Sequence, residues 1–191
     1  MTTPKILAFA GSLRTDSWNK KLIQIGVDGA RAAGAQVAHI DLRDFPMPVY
    51  DGDLEAAGLP EAVLKLKRLF SEHHGLLIAS PEYNGSIPGP LKNAIDWVSR
   101  SAPGERPLAS FSDKITGLLS ASPGAAGGMR GLLHLRASLS HIDVLVLPQQ
   151  VSVPKAHEAF NPDGSLKDAK QQAAVHAVAR RLAETIVKLR V

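Results

Sequence analysis

The stretch from Gly75 to Arg100, GLLIASPEYNGSIPGPLKNAIDWVSR, constrains the fold more tightly than any other part of the chain. It opens with a bare apolar run, Leu76-Leu77-Ile78-Ala79, of the length expected of a strand buried on both faces. Ser80-Pro81 breaks that run into a loop carrying Glu82, Tyr83, Asn84, Gly85 and Ser86, which closes at Pro88-Gly89-Pro90. Pro90 has no N–H to lose and suits the first turn of a helix. Leu91, Ala94, Ile95 and Val98 follow at i, i+3, i+4 and i+7, an apolar stripe on one helix face. A strand thus delivers a loop to one edge of a sheet and a helix carries the chain back. Open α/β sheets bind ligands at that edge.

The loop's own chemistry narrows the ligand. Its prolines and glycines fix the backbone, so N–H and C=O groups can be aimed. Tyr83 offers a flat apolar ring and Asn84 both a donor and an acceptor, which suits the edge of a planar heterocycle better than a phosphate. The alternative is a tight strand-to-helix turn whose residues serve geometry alone.

The same alternation recurs along the chain. Lys5–Ala10 reads as a first strand, followed by Gly11-Ser12-Leu13-Arg14-Thr15-Asp16-Ser17-Trp18-Asn19 and a helix to about Ala33 with Gly34 as its cap. Gln36–Ile40 supplies a second strand, and Arg43–Gly58 reads as irregular. A helix from Pro60 turns Val63, Leu66 and Phe70 inward and Lys65, Lys67 and Arg68 outward, ending at His73 and His74, two surface residues rather than ligands. Lys114–Ser120 is the fourth strand, and Ala121–Arg130 a loop of small residues that opens a helix. Ile142–Leu147 is the fifth strand. A polar loop over Lys155–Leu166 turns at Asn161–Gly164, and a last helix runs to the end with Val175, Val178, Leu182, Ile186 and Leu189 on one face. Strand and helix repeated five times predict one domain over residues 1–191: a doubly wound, five-stranded parallel sheet in the order 2-1-3-4-5.

The loop after the first strand places backbone N–H groups at a helix N-terminus, where an anion is favoured. Ser12, Thr15 and Ser17 add hydroxyls, Asn19 an amide and Arg14 a fixed positive fork, a donor set suited to a monophosphate. The loop is neither GxGxxG nor GxxxxGK[ST]. Capping of the helix by Ser17 or Asp16, with Arg14 solvated, explains the same residues without a ligand. In the 2-1-3-4-5 order the first and third strands flank the point where winding reverses, so their loops meet. A phosphate cradle beside a flat, polar-edged pocket describes a mononucleotide, with FMN the strong candidate.

Composition excludes several rivals. Cysteine is absent, which rules out disulfides, thiolate metal sites and a cysteine nucleophile, and agrees with a reducing cytoplasm. The seven histidines are scattered with no HExxH, against a metal hydrolase. The first loop holds no nucleophile–base pair, against a phosphohydrolase. Glu82 and Asp96 can be read as an acid–base pair, but one lies in a loop and the other two turns into a helix, which disfavours a catalytic dyad. No apolar run approaches the ~20 residues of a membrane span, and the short N-terminal one reads as a strand rather than a signal peptide. The net charge of +4 is spread without a cationic run, which disfavours nucleic acid and favours small anions.

With those residues in hand, the chain resembles the NADPH-dependent FMN reductase family of flavodoxin-like proteins, which includes NAD(P)H:quinone, chromate and azo-dye reductases. The resemblance rests on Gly11-Ser12-Leu13-Arg14…Ser17-Trp18-Asn19 and on Ser80-Pro81-Glu82-Tyr83-Asn84-Gly85-Ser86-Ile87-Pro88-Gly89…Lys92-Asn93-Ala94-Ile95-Asp96-Trp97. It implies that Ser12, Arg14, Ser17 and Asn19 hold the FMN phosphate. It also implies that Pro81, Glu82, Tyr83, Asn84, Gly85 and Ser86 line the ring system, with Ser120, Ser122 and Gly124 closing its other side. Gly85 replaces a residue often larger in such proteins and leaves the cleft more open. The implied activity is a two-electron, ping-pong transfer from NADPH or NADH to a small-molecule acceptor with no side-chain nucleophile. The implied assembly is a homodimer or homotetramer, with the Asp96-Trp97 helix face as one packing surface. A flavodoxin-type single-electron carrier is the rival, and the basic charge of the chain argues against it.

Overall fold

Ile6, Ala8 and Ala10 point to one side of their strand and Leu7 and Phe9 to the other, so a single six-residue run serves two apolar cores. That strand, Lys5–Ala10 (β1), lies parallel to Gly75–Ala79 (β3), from Ile6 opposite Gly75 to Ala10 opposite Ala79. In the computed structural model, which describes residues 3–189, Gln36–Asp41 (β2) flanks β1. Ile115–Ala121 (β4) and Leu145–Val153 (β5) continue beyond β3, all parallel in the order 2-1-3-4-5. Every residue of β3 and β4 is buried, as expected of strands covered on both faces.

Trp18–Ala32 (α1) and Ala169–Leu189 (α7) cover one face, over Ile6, Ala8 and Leu77. Glu61–Glu72 (α3), Gly89–Val98 (α4) and Met129–His141 (α5) cover the other, over Leu7, Phe9 and Ile78. Gly34, at φ +84°, ends α1: its N–H reaches the carbonyl of Arg31 and that of Ala35 the carbonyl of Ala30, the paired bonds of a Schellman cap. Of the expected α7 stripe, Val175, Val178, Leu182 and Ile186 are buried, while Leu189 is 62% exposed. The last residues of that expected helix, Arg190 and Val191, lie outside the described residues.

Five local readings change. The fifth strand is Leu145–Val153 rather than Ile142–Leu147. Ile142 and Val144 donate back to the carbonyl of Leu139 and Asp143 turns at φ +70°, so the apolar residues there finish α5 before the strand begins. As an edge, β5 tolerates Pro148 and two glutamines. Its register slips between Val146 and Gln150, and Arg136 donates to the carbonyls of Val146 and Leu147 at 3.3 and 2.7 Å beside that bulge.

Arg43–Gly58 is not wholly irregular: a 3-10 turn spans Leu42–Asp44 and Gly52–Ala56 forms α2, capped by Asp51. The segment is tied to α4, since Asn93 Nδ2 and Trp97 Nε1 both donate to the carbonyl of Pro48 at 2.8 Å. Trp97 is therefore fully buried inside the chain and offers no outer packing face; Asp96 pairs with Lys92 at 2.7 Å.

Lys67, expected outward, is 3% exposed. Its amine donates to the carbonyls of Val98 and Arg100 and to Ser110 Oγ, and it pairs with Glu105 at 2.9 Å. It caps the C-terminal end of α4, where a cation complements the helix dipole. Finally, the polar Lys155–Leu166 segment contains a short helix, Ala156–Ala159 (α6), before the expected turn, which closes with Gly164 N–H on the carbonyl of Asn161.

Candidate active site

The chain leaves β1 through Gly11, whose N–H extends the sheet to the carbonyl of Ala79 at 2.9 Å. A Cβ at Gly11 would sit 2.8 Å from Leu91, so α4 packs directly against this exit. Ser12 is buried and its Oγ accepts from the N–H of Arg14. Ser17 caps α1, its Oγ accepting from the N–H of Asn19 at 3.2 Å. Asn19, 2% exposed, spends its amide on the backbone of Ala121, donating through Nδ2 at 2.8 Å and accepting through Oδ1 at 2.9 Å. Of the four residues expected at a phosphate, Arg14 alone extends an exposed charged side chain; its guanidinium lies 5.8 Å from the Trp18 ring centre. Ser12, Ser17 and Asn19 build the loop that presents it.

Two further cations border this loop. Arg43 donates to Thr15 Oγ1 at 2.7 Å, and Lys20 pairs with Asp41 at 2.5 Å. Burial opposes ionisation of Asp41, yet the hydrogen bonds from Lys20 and from the N–H of Arg43, with their charges, hold its carboxyl below the usual range. A groove of about 620 Å³ lies on the far side of Thr15–Ser17, walled by Gln24, Pro162 and Gln172. It flanks α1 rather than lying between the strand-end loops.

The second loop is a hairpin. Tyr83 N–H donates to the carbonyl of Ser86 at 3.1 Å and Ser86 N–H to that of Tyr83 at 3.0 Å, around Asn84 at φ +51° and Gly85 at φ +75°. Two left-handed residues make a type I′ turn, for which Asn-Gly is the strongest short sequence signal. That signal is present in the sequence, but the dipeptide reads there as ligand chemistry. Pro81 is buried, while Tyr83 and Asn84 stand exposed at the tip.

Glu82, expected against the ring, is engaged elsewhere. Its Oε2 accepts from the N–H of Gly131 at 3.0 Å, and its Oε1 from Arg130 Nε at 3.2 Å. This places a carboxylate on the N-terminal turn of α5, a favourable end for negative charge. Ser86 Oγ shares a 2.9 Å hydrogen bond with His134 Nδ1 on the same helix.

The third loop joins β4 to α5. Ser120 is fully buried, and among the described residues its Oγ has no hydrogen-bond partner. It faces Gly128, at φ +89°, where a Cβ would collide with it. Gly127, at φ +59°, is equally required, since a Cβ there would sit 2.7 Å from the nitrogen of Pro154. Ser122 fixes the loop to the neighbouring edge, its N–H on the carbonyl of Val153 and its carbonyl receiving the N–H of Ala156. A Cβ at Gly124, by contrast, would meet nothing within 4 Å, so the loop opens to space there.

The elements that carry the loops are therefore tied together: α1 to the end of β4 through Asn19 and Ala121, and the hairpin to α5 through Glu82 and Ser86. Their exposed groups are Arg14 at a helix N-terminus, the Tyr83–Asn84 tip and the opening at Gly124. A guanidinium beside a helix N-terminus suits a phosphate, and an amide beside an aromatic ring suits a planar heterocycle, so the donor set fits FMN.

Comparison with known proteins agrees with this geometry. Residues 4–158 match the family model described as NADPH-dependent FMN reductase. The chain is 36% identical over 187 residues to an NAD(P)H-dependent FMN reductase of Pseudomonas aeruginosa, covering 97% of each. It is 33% identical to an NAD(P)H:quinone oxidoreductase of Solanum tuberosum, covering 97% of this chain and 94% of that one. Among solved structures, FerB of Paracoccus denitrificans, a flavoenzyme NAD(P)H:(acceptor) oxidoreductase, matches with a TM-score of 0.82 at 30% identity, over 97% of this chain and 98% of that one. The fold is flavodoxin-like, and the chain belongs to the NADPH-dependent FMN reductase family.

Proposed function

We propose that this protein is an FMN-dependent NAD(P)H oxidoreductase that delivers two electrons from NADPH or NADH to a small acceptor: a quinone, azo or nitro compound, chromate or free flavin. The observation that carries this reading is the pairing of β1 with β3, extended by the Gly11 N–H on the carbonyl of Ala79, which delivers the Arg14-bearing loop and the aromatic, amide-bearing hairpin to the same edge of the sheet. Bound FMN supplies a two-electron redox centre that no side chain here can provide. Arg14 holds the phosphate, and Ser12, Ser17 and Asn19 give the loop its shape around it. Asn84 and the hairpin backbone face the polar edge of the ring, Tyr83 shields it from water, and the turn at Ser122 and Gly124 bounds the far side. Backbone N–H groups near the ring would supply electrostatic stabilisation for negative charge on the bound flavin. No side chain acts as nucleophile. The relatives named above are reductases, which disfavours the single-electron carrier.

The whole chain acts as one unit in this reading. A homodimer or homotetramer is supported by the exposed apolar side chains Met129 and Leu133 on α5, and a cytoplasmic location by the absence of cysteine. The test is an anaerobic titration of FMN-loaded protein with NADPH. One equivalent bleaches the flavin absorbance and a quinone restores it. Bound FMN that stays oxidised returns the carrier reading, and failure to bind FMN overturns the site.

A further inference from the structure

A two-residue hairpin closed by two backbone bonds is marginal in water on its own. The Tyr83–Ser86 hairpin must therefore take its position from something else, and the contacts that fix it come from α5. Gly131 N–H and Arg130 hold the carboxylate of Glu82 at its base, and His134 holds Ser86 on the returning side. The helix approaches to backbone contact: a Cβ at Gly131 would lie 3.1 Å from the carbonyl oxygen of Ser86 and 3.3 Å from Glu82 Cβ. One turn earlier, a Cβ at Gly128 would lie 3.7 Å from Glu82 Cβ. Gly131 thus clears a seat for the hairpin on the first turn of α5, with Gly128 bordering it at ordinary contact distance.

We propose that Glu82 is a positioning residue for the ring site: seated on α5, its carboxylate sets where the Tyr83–Asn84 tip stands, the part of the hairpin that faces the flavin ring and the electron acceptor that must approach it. This rests on the FMN-dependent reading above. Glu82 is poorly placed to bind the cofactor itself, because its side chain is 9% exposed and both oxygens are already engaged. Arg130 is 67% exposed, so solvent screens its share of the pairing, and the bond from the Gly131 N–H is the stronger anchor. Tyr83 and Asn84 have their exposed faces beyond this anchor, so a change at the base is transmitted to the tip through the turn.

The experiment uses the full chain with Glu82→Gln, which keeps the side-chain shape and removes the charge. Three quantities are read: amide exchange over residues 82–87 without FMN, the FMN dissociation constant, and KM and kcat for p-benzoquinone at saturating NADPH. Loss of the charge-assisted anchor speeds exchange, raises the benzoquinone KM and weakens FMN binding, each by about 5–10-fold, since the displaced tip carries contacts to the ring. Gly131→Ala, which displaces the same hairpin without altering charge, raises KM in the same direction and carries the test if the first variant does not fold. The proposal is overturned if exchange over 82–87 is unchanged, since any loss of FMN affinity would then come from Glu82 contacting the cofactor, and equally if exchange speeds while FMN affinity and KM stay put. If the protein binds no FMN, the functional reading fails by itself, and the exchange measurement still decides whether Glu82 anchors the hairpin.

Discussion

Asn19 stands in for a missing strand beside Ala121. The pairing of β3 with β4 ends at Ala79 and Leu119, with one further bond from Ser80 N–H to Leu119, and the chain then turns off at Pro81, which has no N–H to offer. Ala121 is left with a buried N–H and C=O, and Asn19, 102 residues distant in sequence, meets both, as a strand neighbour would. A planar side chain with a donor and an acceptor side by side is needed there, which restricts the position to an amide. Asn19→Ala orphans both backbone groups and costs about 2–4 kcal/mol, read as a lower denaturation midpoint. Asn19→Asp keeps the acceptor but sets a carboxylate oxygen against the carbonyl of Ala121, which raises the folded-state pKa of the new acid. Its stability relative to wild type is therefore best below about pH 4 and falls as pH rises through the carboxylate range. A gap between the two proteins that does not change with pH would count against this pairing.

Gly128 carries two independent demands, a φ of +89° and the near approach of Ser120 Oγ. Gly128→Ala violates both and lowers stability by about 2–4 kcal/mol. Adding Ser120→Ala relieves the collision but not the backbone strain, so the double variant recovers about 1 kcal/mol in a denaturation series. Strict additivity of the two changes would place their side chains apart.

How much of this was legible follows from how locally each feature is determined. β1 and β3 announce themselves because strands buried on both faces must be apolar without interruption, and α4 because its stripe follows a proline that only a first turn accepts. Edge strand β5 does not, since a strand with one exposed face can carry Pro148 and glutamines. Lys67 misleads for a different reason: on α3 it falls among lysines and arginines of a solvated face, and only the arrival of α4's C-terminus above it makes burial favourable. Glu82 and Asn84 sit in a motif whose chemistry is plain, yet one serves the α5 anchor and the other the turn as well. Sequence shows which groups are present; which of them are already engaged is settled by tertiary contact.

The Lys67 cluster also sets a pH dependence. Burial raises the pKa of Glu105, but the hydrogen bonds from the N–H of Ala102 and from Lys67 outweigh it, leaving the carboxyl below its ordinary 4.5. A depressed folded-state pKa contributes stability that is complete above 4.5 and is lost as pH falls through the folded value. Lys67→Met removes the pairing and orphans the carbonyls of Val98 and Arg100, costing about 2–4 kcal/mol at neutral pH. The bond from Ala102 is common to both proteins, so only the Lys67 share of the Glu105 contribution differs between them; the wild type loses that share on acidification, and the difference shrinks from about pH 7 to about pH 3. Urea denaturation across that range checks it, and a constant difference would assign the whole effect to the orphaned carbonyls.

The proposed phosphate role of Arg14 is separable from that of its loop. Ser12, Ser17 and Asn19 are buried and bonded within the protein, so changing them disturbs fold and ligand together, whereas the Arg14 side chain extends from the loop near the Trp18 ring. Arg14→Ala weakens FMN binding by about 10–100-fold through the lost charge-assisted hydrogen bonds, and Arg14→Lys, a point charge without the planar fork, falls between. Riboflavin, which lacks the phosphate, binds wild type and Arg14→Ala alike to within about twofold, and added salt narrows the FMN difference because the contact is solvent-exposed. Fluorescence titrations with both flavins decide the matter: an equal loss for riboflavin would show that Arg14 supports the loop's conformation instead of contacting the phosphate.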